Sequence, residues 1–559
     1  MTPRWPFLVF VTVAVGSGVL VGTDLTGSDQ RPSVRQEAEV ETASPATGEA
    51  ALAGGDHEPL ATPVAAGDHA LSSTWYCAAG TAYGDGSAEH TVVVANPTDA
   101  EVEGTLTVYP GSVAPPRTDD PPIPAEGAPT TTTSTTTTTA PPAEDDAEAD
   151  GADLVRRDFS VGAHSRATFR LSDLVDATLA AASVEADSGA VTVEHEVESS
   201  AGSDVAPCAS SASPTWYFAW GATSRDAREL LVLFNPFPSD VVVDAVFSTE
   251  GGVREPLRWQ GFTVPARSVV GVDVGDDVTR REQVSATLRA RSGRLVVDRL
   301  QVFDGSQDTA GVSVALGQTA PGHDWLFSHG RVGDGVDERI VLYNPGVTAA
   351  EVEVSVEAVD SAARPPEPFG VVVRPGRYEV LDYADEARVE PGTSHGTAVR
   401  SRNGVPVVAE RVMTYDRPPA TRSGPPRRDL SVTPPSPVAS TEWSFPAAGD
   451  DGEGEGLELR YTVMNPARDE PARVTLTLYA GGEVVALPEL ASVTVAPGER
   501  VSLELPAEAL ARAGADGTVV LHANAPVTAE RLVIRDDLPT TIGPGIPVGR
   551  GTVPLTDVP

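Results

Sequence analysis

Four dipeptides set a carboxylate beside a base: Glu194-His195, Asp298-Arg299, Glu410-Arg411 and Glu530-Arg531. A carboxylate and a base side by side are the parts of a general acid–base pair, so they are the first residues to test for chemistry. Each lies inside an apolar stretch of strand type, such as Leu295–Phe303, and neighbours along a strand point to opposite faces. The two members of a dipeptide therefore cannot serve one reacting atom. Their expected role is a cross-strand ion pair, or an arginine stem lying along a sheet.

Other side chains with chemical potential are few. The two cysteines, Cys77 and Cys208, flank one stretch of chain and would close a loop of 208 − 77 = 131 residues. Paired, they would contribute roughly 5 kcal/mol by the chain-entropy estimate; two separate thiols are the other reading. Acidic loops at Asp334-Gly335-Val336-Asp337-Glu338 and Asp450-Asp451-Gly452-Glu453-Gly454-Glu455 carry oxygen ligands of calcium type, but their spacing matches no calcium loop. The nine histidines are scattered without a His-Glu-x-x-His, and the one glimpse of a nucleophile motif, Gly16-Ser17-Gly18, falls in an apolar leader. No metal, cofactor or catalytic residue is expected.

Composition closes further classes. All 40 basic residues are arginine, against 80 acids and a net charge of −40. Without lysine there is no Schiff base, no phosphate-loop lysine and no lysine isopeptide staple. Nucleic acid needs a basic footprint that this chain lacks.

The elements that position these residues repeat four times. Trp75-Tyr76-Cys77, Trp216-Tyr217-Phe218, Trp325-Leu326-Phe327 and Trp443-Ser444-Phe445 each precede an Asn-Pro step, at Asn96-Pro97, Asn235-Pro236, Asn344-Pro345 and Asn465-Pro466. Each repeat then passes a turn around Ala163, Pro265, Pro375 or Pro497 and closes on its acid–base dipeptide. Internal repetition fixes architecture before local propensity does. Asn forms Asx turns and Pro cannot donate to a ladder, so Asn-Pro ends a strand. In the second repeat, strands are expected at Trp216–Trp220, Leu230–Asn235, Val241–Phe247, Leu257–Val264, Ser268–Val274, Val284–Ala290 and Leu295–Phe303. That pattern predicts an all-β chain of four tandem immunoglobulin- or fibronectin-like β-sandwich repeats. Trp220 and Trp259 stand outside the start motifs, both in the second repeat. Exposed, they would offer a stacking platform to a ligand; buried, they are core.

The ends add an address. Trp5–Val21 is uncharged, follows Arg4 and is about as long as the shortest bilayer-spanning helix. It is read as an N-terminal membrane helix holding the bulk outside the cytoplasm, with a cleaved signal and secretion as the alternative. The expected division is 1–23 anchor or signal, 24–71 disordered tether, 72–208 first repeat with a Thr/Pro-rich insertion about 111–152, 209–316 second, 317–432 third, 433–540 fourth and 541–559 tail. The tract Pro129–Pro142 is of the composition that carries O-linked sugar on exported proteins, with a disordered insertion without sugar as the other reading.

The membrane segment, the Trp-x-Phe starts, the Asn-Pro steps, the turns Val373-Arg374-Pro375-Gly376 and Val495-Ala496-Pro497-Gly498 and the Glu-Arg ends together resemble an actinobacterial family of exported proteins classed as a domain of unknown function. The likeness covers roughly Ser72 to Asp537, and it implies no activity or site residue. The function expected is that of a non-enzymatic, membrane-tethered envelope protein serving as spacer, adhesion surface or scaffold. The alternative is an accessory or sensor protein of envelope glycan assembly, with a cell-wall glycan or an envelope protein as partner.

Overall fold

Each Asn of the four Asn-Pro steps is fully buried and ties three pieces of backbone together. The Asn235 amide donates to Ser239 O (2.8 Å) and Val264 O (3.2 Å), and its oxygen accepts from Phe237 N–H (3.1 Å). Asn344 repeats this with Thr348, Val373 and Gly346, Asn465 with Glu470, Val495 and Ala467, and Asn96 with Ala100, Val161 and Thr98. The side chain closes an Asx turn and pins the turn to a strand entering from the other side of the unit.

The computed structural model describes residues 62–67, 70–83, 88–116, 154–187, 190–200, 202–307, 309–358, 365–417, 427–446, 457–535 and 538–558. It is nearly all strand, with one α-helix, Ala507–Ala513, among the described residues. One sheet in each of four units has the same order. In the first unit it is Ser165–Arg170, Glu89–Asn96, Thr192–Ser199 and Gly202–Pro207; in the second, Ser268–Asp273, Ala227–Asn235, Val296–Asp304 and Ala310–Leu316. The third has Arg377–Asp382, Val336–Asn344, Val408–Arg417 and Arg427–Thr433. The fourth has Arg500–Glu504, Leu457–Met464, Gly517–Arg535 and Leu538–Pro544. Facing this sheet is one that begins at the Trp strand, as in Asp324–Arg331, Ser394–Ser401, Ala350–Glu357 and Phe369–Val373. Trp325 and Phe327 from one sheet pack on Ile340, Leu342 and Ala409 from the other. The indole N–H groups of Trp216, Trp325 and Trp443 donate to Leu295 O, Val407 O and Val527 O, each three residues before the acid of its own dipeptide.

All seven strand regions expected in the second unit are present, the fourth opening with a 3-10 turn at Leu257–Trp259. The expectation missed Gly252–Arg254 and, of more consequence, Ala310–Leu316. The latter has a counterpart in every unit, and these four last strands touch in succession. Gly202–Pro207 meets Ala310–Leu316, which meets Arg427–Thr433, which meets Leu538–Pro544, which returns to Gly202–Pro207. Contacts between units thus close on themselves. Apolar groups continue across them: Tyr109 and Leu179 pack with Phe234, Trp220 with Val412 and Leu430, and Met413 and Tyr415 with Leu532 and Ile542.

Three boundary expectations change. The tether was expected through residue 71, but Ala65 is buried and bridges Val548 in parallel, with Ala65 N–H donating to Pro547 O (2.9 Å). The tail beyond 540 is likewise built in: Ile546-Pro547 and Val553-Pro554 pair with Val438–Phe445. Ala65, Ile546 and Val548 are held because they add apolar surface to the core of the first unit. The insertion begins later than 111, since the strand Val102–Val113 runs on to pair in parallel with Val270 and Gly271 of the second unit. The segment Trp5–Val21, the Thr tract and the acidic loop 450–455 lie outside the described residues. Among the described residues no helix is long and apolar enough to cross a membrane.

Candidate functional site: buried charges between the units

The four acid–base dipeptides meet, but not within a unit. Strand neighbours facing opposite ways send the acid into the preceding unit and the base toward the following one. Between the second and third units, Arg299 Nη1 donates to Glu410 Oε2 (3.0 Å) and Oε1 (3.2 Å) and to the carbonyl of Trp220. Glu410 Oε2 also accepts the Trp220 N–H (2.6 Å). Between the third and fourth, Arg411 Nη1 donates to Glu530 Oε2 (3.1 Å) and to His329 O, while His329 N–H donates to the same oxygen (2.9 Å). Between the fourth and first, Arg531 Nη1 donates to Glu194 Oε2 (3.1 Å), beside a Thr192–Ser444 hydroxyl pair at 2.7 Å. Each guanidinium lies over the Phe of its own start motif: Arg299 over Phe218, Arg411 over Phe327 and Arg531 over Phe445, at 5.6, 5.1 and 5.9 Å.

The first-to-second contact departs from this. Asp298 Oδ2 accepts the N–H groups of Ala78 (2.9 Å) and Ala79 (3.0 Å), as Glu410 and Glu530 accept those of Trp220 and His329. The base, however, is His195, with Nε2 at 3.7 Å from Asp298 Oδ2. Its Nδ1 is 3.1 Å from His90 Nε2, and His90 Nδ1 is 2.8 Å from Ala180 O. Where the other units place Phe, this one has Cys77, joined to Cys208 in a disulfide. Loss of the Phe and loss of the Arg occur in the same unit: with no ring at Cys77 there is no aromatic face for a guanidinium to lie over.

Burial dominates the electrostatics. It pushes the Asp298 carboxyl up to about 7 against the two backbone N–H groups, and pushes His90 down to about 4 and His195 well below the usual histidine value. Burial raises Glu530 even with Arg411 beside it. Glu229, six residues before its Asn and 1% exposed, is raised by burial to about 8, with Arg299 opposing. His90, Glu229 and Glu338 occupy this same position in three units, each under the glycine that follows its start motif. A Cβ on Gly221 would lie 2.3 Å from Glu229 Oε1, and one on Gly330 2.7 Å from Glu338 Oε2. In the fourth repeat both partners change, to Leu459 and Ala448.

The tryptophans proposed as an extra binding surface are not on the surface. Trp259 is fully buried against Phe247, with its N–H on Asp277 Oδ2 (3.1 Å), and Trp220 is 5% exposed between the second and third units beneath Arg299. Neither presents a face to a sugar, because each is covered by the packing that holds its unit or its neighbour. In the described acidic loop, Asp334 pairs with Arg331 (3.0 Å) and Asp337 with Arg428 (3.5 Å), while Glu338 turns inward to His395 (3.1 Å). No group of three or more possible metal ligands is present among the described residues. What sequence reasoning missed is the partner of each dipeptide. The joint replacement of Phe by Cys77 and Arg by His195 was the signal that Arg and Phe touch.

A family model described as a family of unknown function (DUF5719) matches residues 179–441. The solved structure titled Anabaena sensory rhodopsin transducer is similar at 21% identity, over 16% of this chain and 83% of that one, with a TM-score of 0.15. A Thermotoga maritima structure, that of protein 1070, is similar at 16% identity over 21% and 93%, with a TM-score of 0.17. No curated protein matches.

Proposed function

We propose that this is a non-enzymatic cell-envelope protein that works as a scaffold. In this reading four tandem immunoglobulin- or fibronectin-type sandwiches are held outside the cytoplasm by the Trp5–Val21 segment, as in the actinobacterial exported family that the motifs resemble. The observation that carries it is the circuit of buried charges. The recurring acid–base residues, the chain's best candidates for chemistry, are spent holding one unit to the next. Buried ion pairs add little net stability over apolar packing but fix which surfaces meet, the property a scaffold needs. The Cys77–Cys208 disulfide accords with an oxidising compartment. The partner in this reading is another envelope protein, since Trp220 and Trp259 offer no platform for glycan.

Fractionation and affinity capture test it. Full-length protein carrying a C-terminal tag is expected in the membrane fraction, open to protease added to intact cells, and to capture a discrete envelope protein. Recovery in the cytosol, or turnover of a cell-wall substrate by the purified chain, would overturn the reading.

A further inference from the structure

The contact between the first and second units differs from the other three in a way that governs its response to protons. In the rest a guanidinium faces the carboxylate, and a guanidinium keeps its charge at every pH a protein meets. Here the carboxylate faces a histidine, and the histidine is chained to a second. The Ala180 carbonyl only accepts, so His90 Nδ1 carries a hydrogen. The 3.1 Å contact between His90 Nε2 and His195 Nδ1 has room for one hydrogen. The two rings therefore hold at most one proton beyond neutrality while they touch. A second would set N–H against N–H, and two cations side by side in a site that is 0% exposed at both histidines.

We infer that the junction between the first and second units is an acid-labile joint, in which the His90–His195–Asp298 chain takes up its last proton only by parting. The groups facing Asp298 and His195 are each other, His90 from the strand Glu89–Asn96, and the backbone of Ala78 and Ala79, whose N–H groups reach Asp298 while the Ala79 carbonyl favours a proton on His195. Glu194 and Arg299, the strand neighbours, face the opposite way. The sign follows from counting protons in the two states. Opening returns both histidines to their usual value, so each gains a proton as pH falls below about 6.5. Opening also returns Asp298, raised in the closed state to about 7, to the ordinary carboxylate range, so it gives one proton up. Two gained against one lost leaves about one proton taken up between about pH 6.5 and pH 4 when the histidine chain parts from Ala78 and Ala79 while the contact of Gly202–Pro207 with Ala310–Leu316 holds. Asp204, which sits in that contact on Val314 N–H (3.0 Å) and is raised by burial to about 7, would give up a second proton only if that contact opened as well. Opening is thus favoured about tenfold per pH unit of acidification. The inference concerns the joint alone and stands whether or not the scaffold reading does.

The second-to-third junction is the internal reference, because its buried charge cluster is Arg299, Glu410 and Glu229 and it holds no histidine among the described residues. Tyrosine, present there as Tyr217 and Tyr343, does not titrate in the acid range. The third-to-fourth is not, since His329 and His395 lie there. Hydrogen–deuterium exchange of the full chain, corrected for intrinsic rates, is to be followed at pH 7, 6 and 5 in peptides covering Ala78–Gly80 and Trp220–Gly221. The expected result is a rise in corrected exchange at Ala78–Gly80 of tenfold or more from pH 7 to pH 5, with no rise at Trp220–Gly221. In His195→Gln that acid response is lost. Should that variant not fold, His90→Gln keeps a donor for Ala180 and an acceptor for His195 while removing one titrating ring. Equal acid responses at the two wild-type junctions, or an unchanged response in a folded variant, would overturn the inference.

Discussion

The first-to-second and second-to-third junctions use one backbone plan and opposite chemistry. In both, a carboxylate from the later unit accepts N–H groups from the loop after the earlier unit's start motif: Asp298 from Ala78 and Ala79, Glu410 from Trp220. In the second-to-third junction a permanent cation lies over Phe218 and answers the carboxylate at 3.0 Å. In the first-to-second, sulfur replaces the ring, histidine replaces the guanidinium and the gap widens to 3.7 Å. The comparison teaches that the carboxylate–loop contact defines the junction, while the base is an adjustable part. The exchange of base and the covalent bracing fall in the same unit.

The bracing is the largest effect to break. Replacing both Cys77 and Cys208 by serine frees a loop 131 residues long, and the chain-entropy estimate puts the loss at roughly 5 kcal/mol. The unfolding midpoint of the first unit, followed by exchange in its own peptides, is expected to fall while those of the third unit hold. An equal fall in both would mean that the closed circuit shares stability among all four units, and that the first owes nothing special to its disulfide.

Next comes the base itself. Arg299→Ala leaves Glu410 buried without its cation and is expected to cost about 3–5 kcal/mol. His195→Ala is expected to cost less, about 1–3 kcal/mol, since Asp298 already lies near neutrality and can keep a proton instead of a buried charge. Denaturant midpoints of the two variants at pH 7 decide the order. If His195→Ala proves the costlier, the histidine chain is a structural keystone and the comparison fails.

Much of one unit was legible in the sequence, and little of what lies between units was. Trp-x-Phe, Asn-Pro and the acid–base dipeptide are local patterns with local causes: a Trp plugging a core, an Asx turn, two faces of one strand. The seven strand regions of the second unit followed from them. The last strand of each unit did not, because Ala310–Leu316 and Gly202–Pro207 lie beyond the dipeptide, where the repeated motif ends and small or turn-forming residues dominate. Those strands carry the contacts between units, so with them went the closure of the circuit. Ala65 was read as tether for the same reason: a short apolar residue among Pro and Gly gains its meaning only when Val548 is beside it. Trp220 and Trp259 looked surplus to a repeat, yet one fills a junction and the other a core. A residue outside the repeated pattern can serve packing that the pattern does not describe.

The smallest step per unit of change sharpens the comparison through pH, because the second-to-third junction responds with the sign opposite to the first. Glu229 is raised by burial from 4.5 to about 8, and neither of its oxygens makes a hydrogen bond among the described residues. A carboxyl whose folded value is raised binds a proton that the unfolded chain has released. Its contribution is therefore fully present below the ordinary carboxylate range and is lost as pH rises through about 8. The loss is at most about 1.4 kcal/mol per pH unit over that window. Glu229→Gln keeps the shape and removes the titration. The difference in stability between variant and wild type, measured by denaturant unfolding from pH 5 to pH 8, is expected to move steadily in favour of the variant as pH rises. A difference that stays flat would mean that Glu229 is ionised in the folded chain, held so by Arg299, and the second-to-third junction would then carry two carboxylates on one guanidinium.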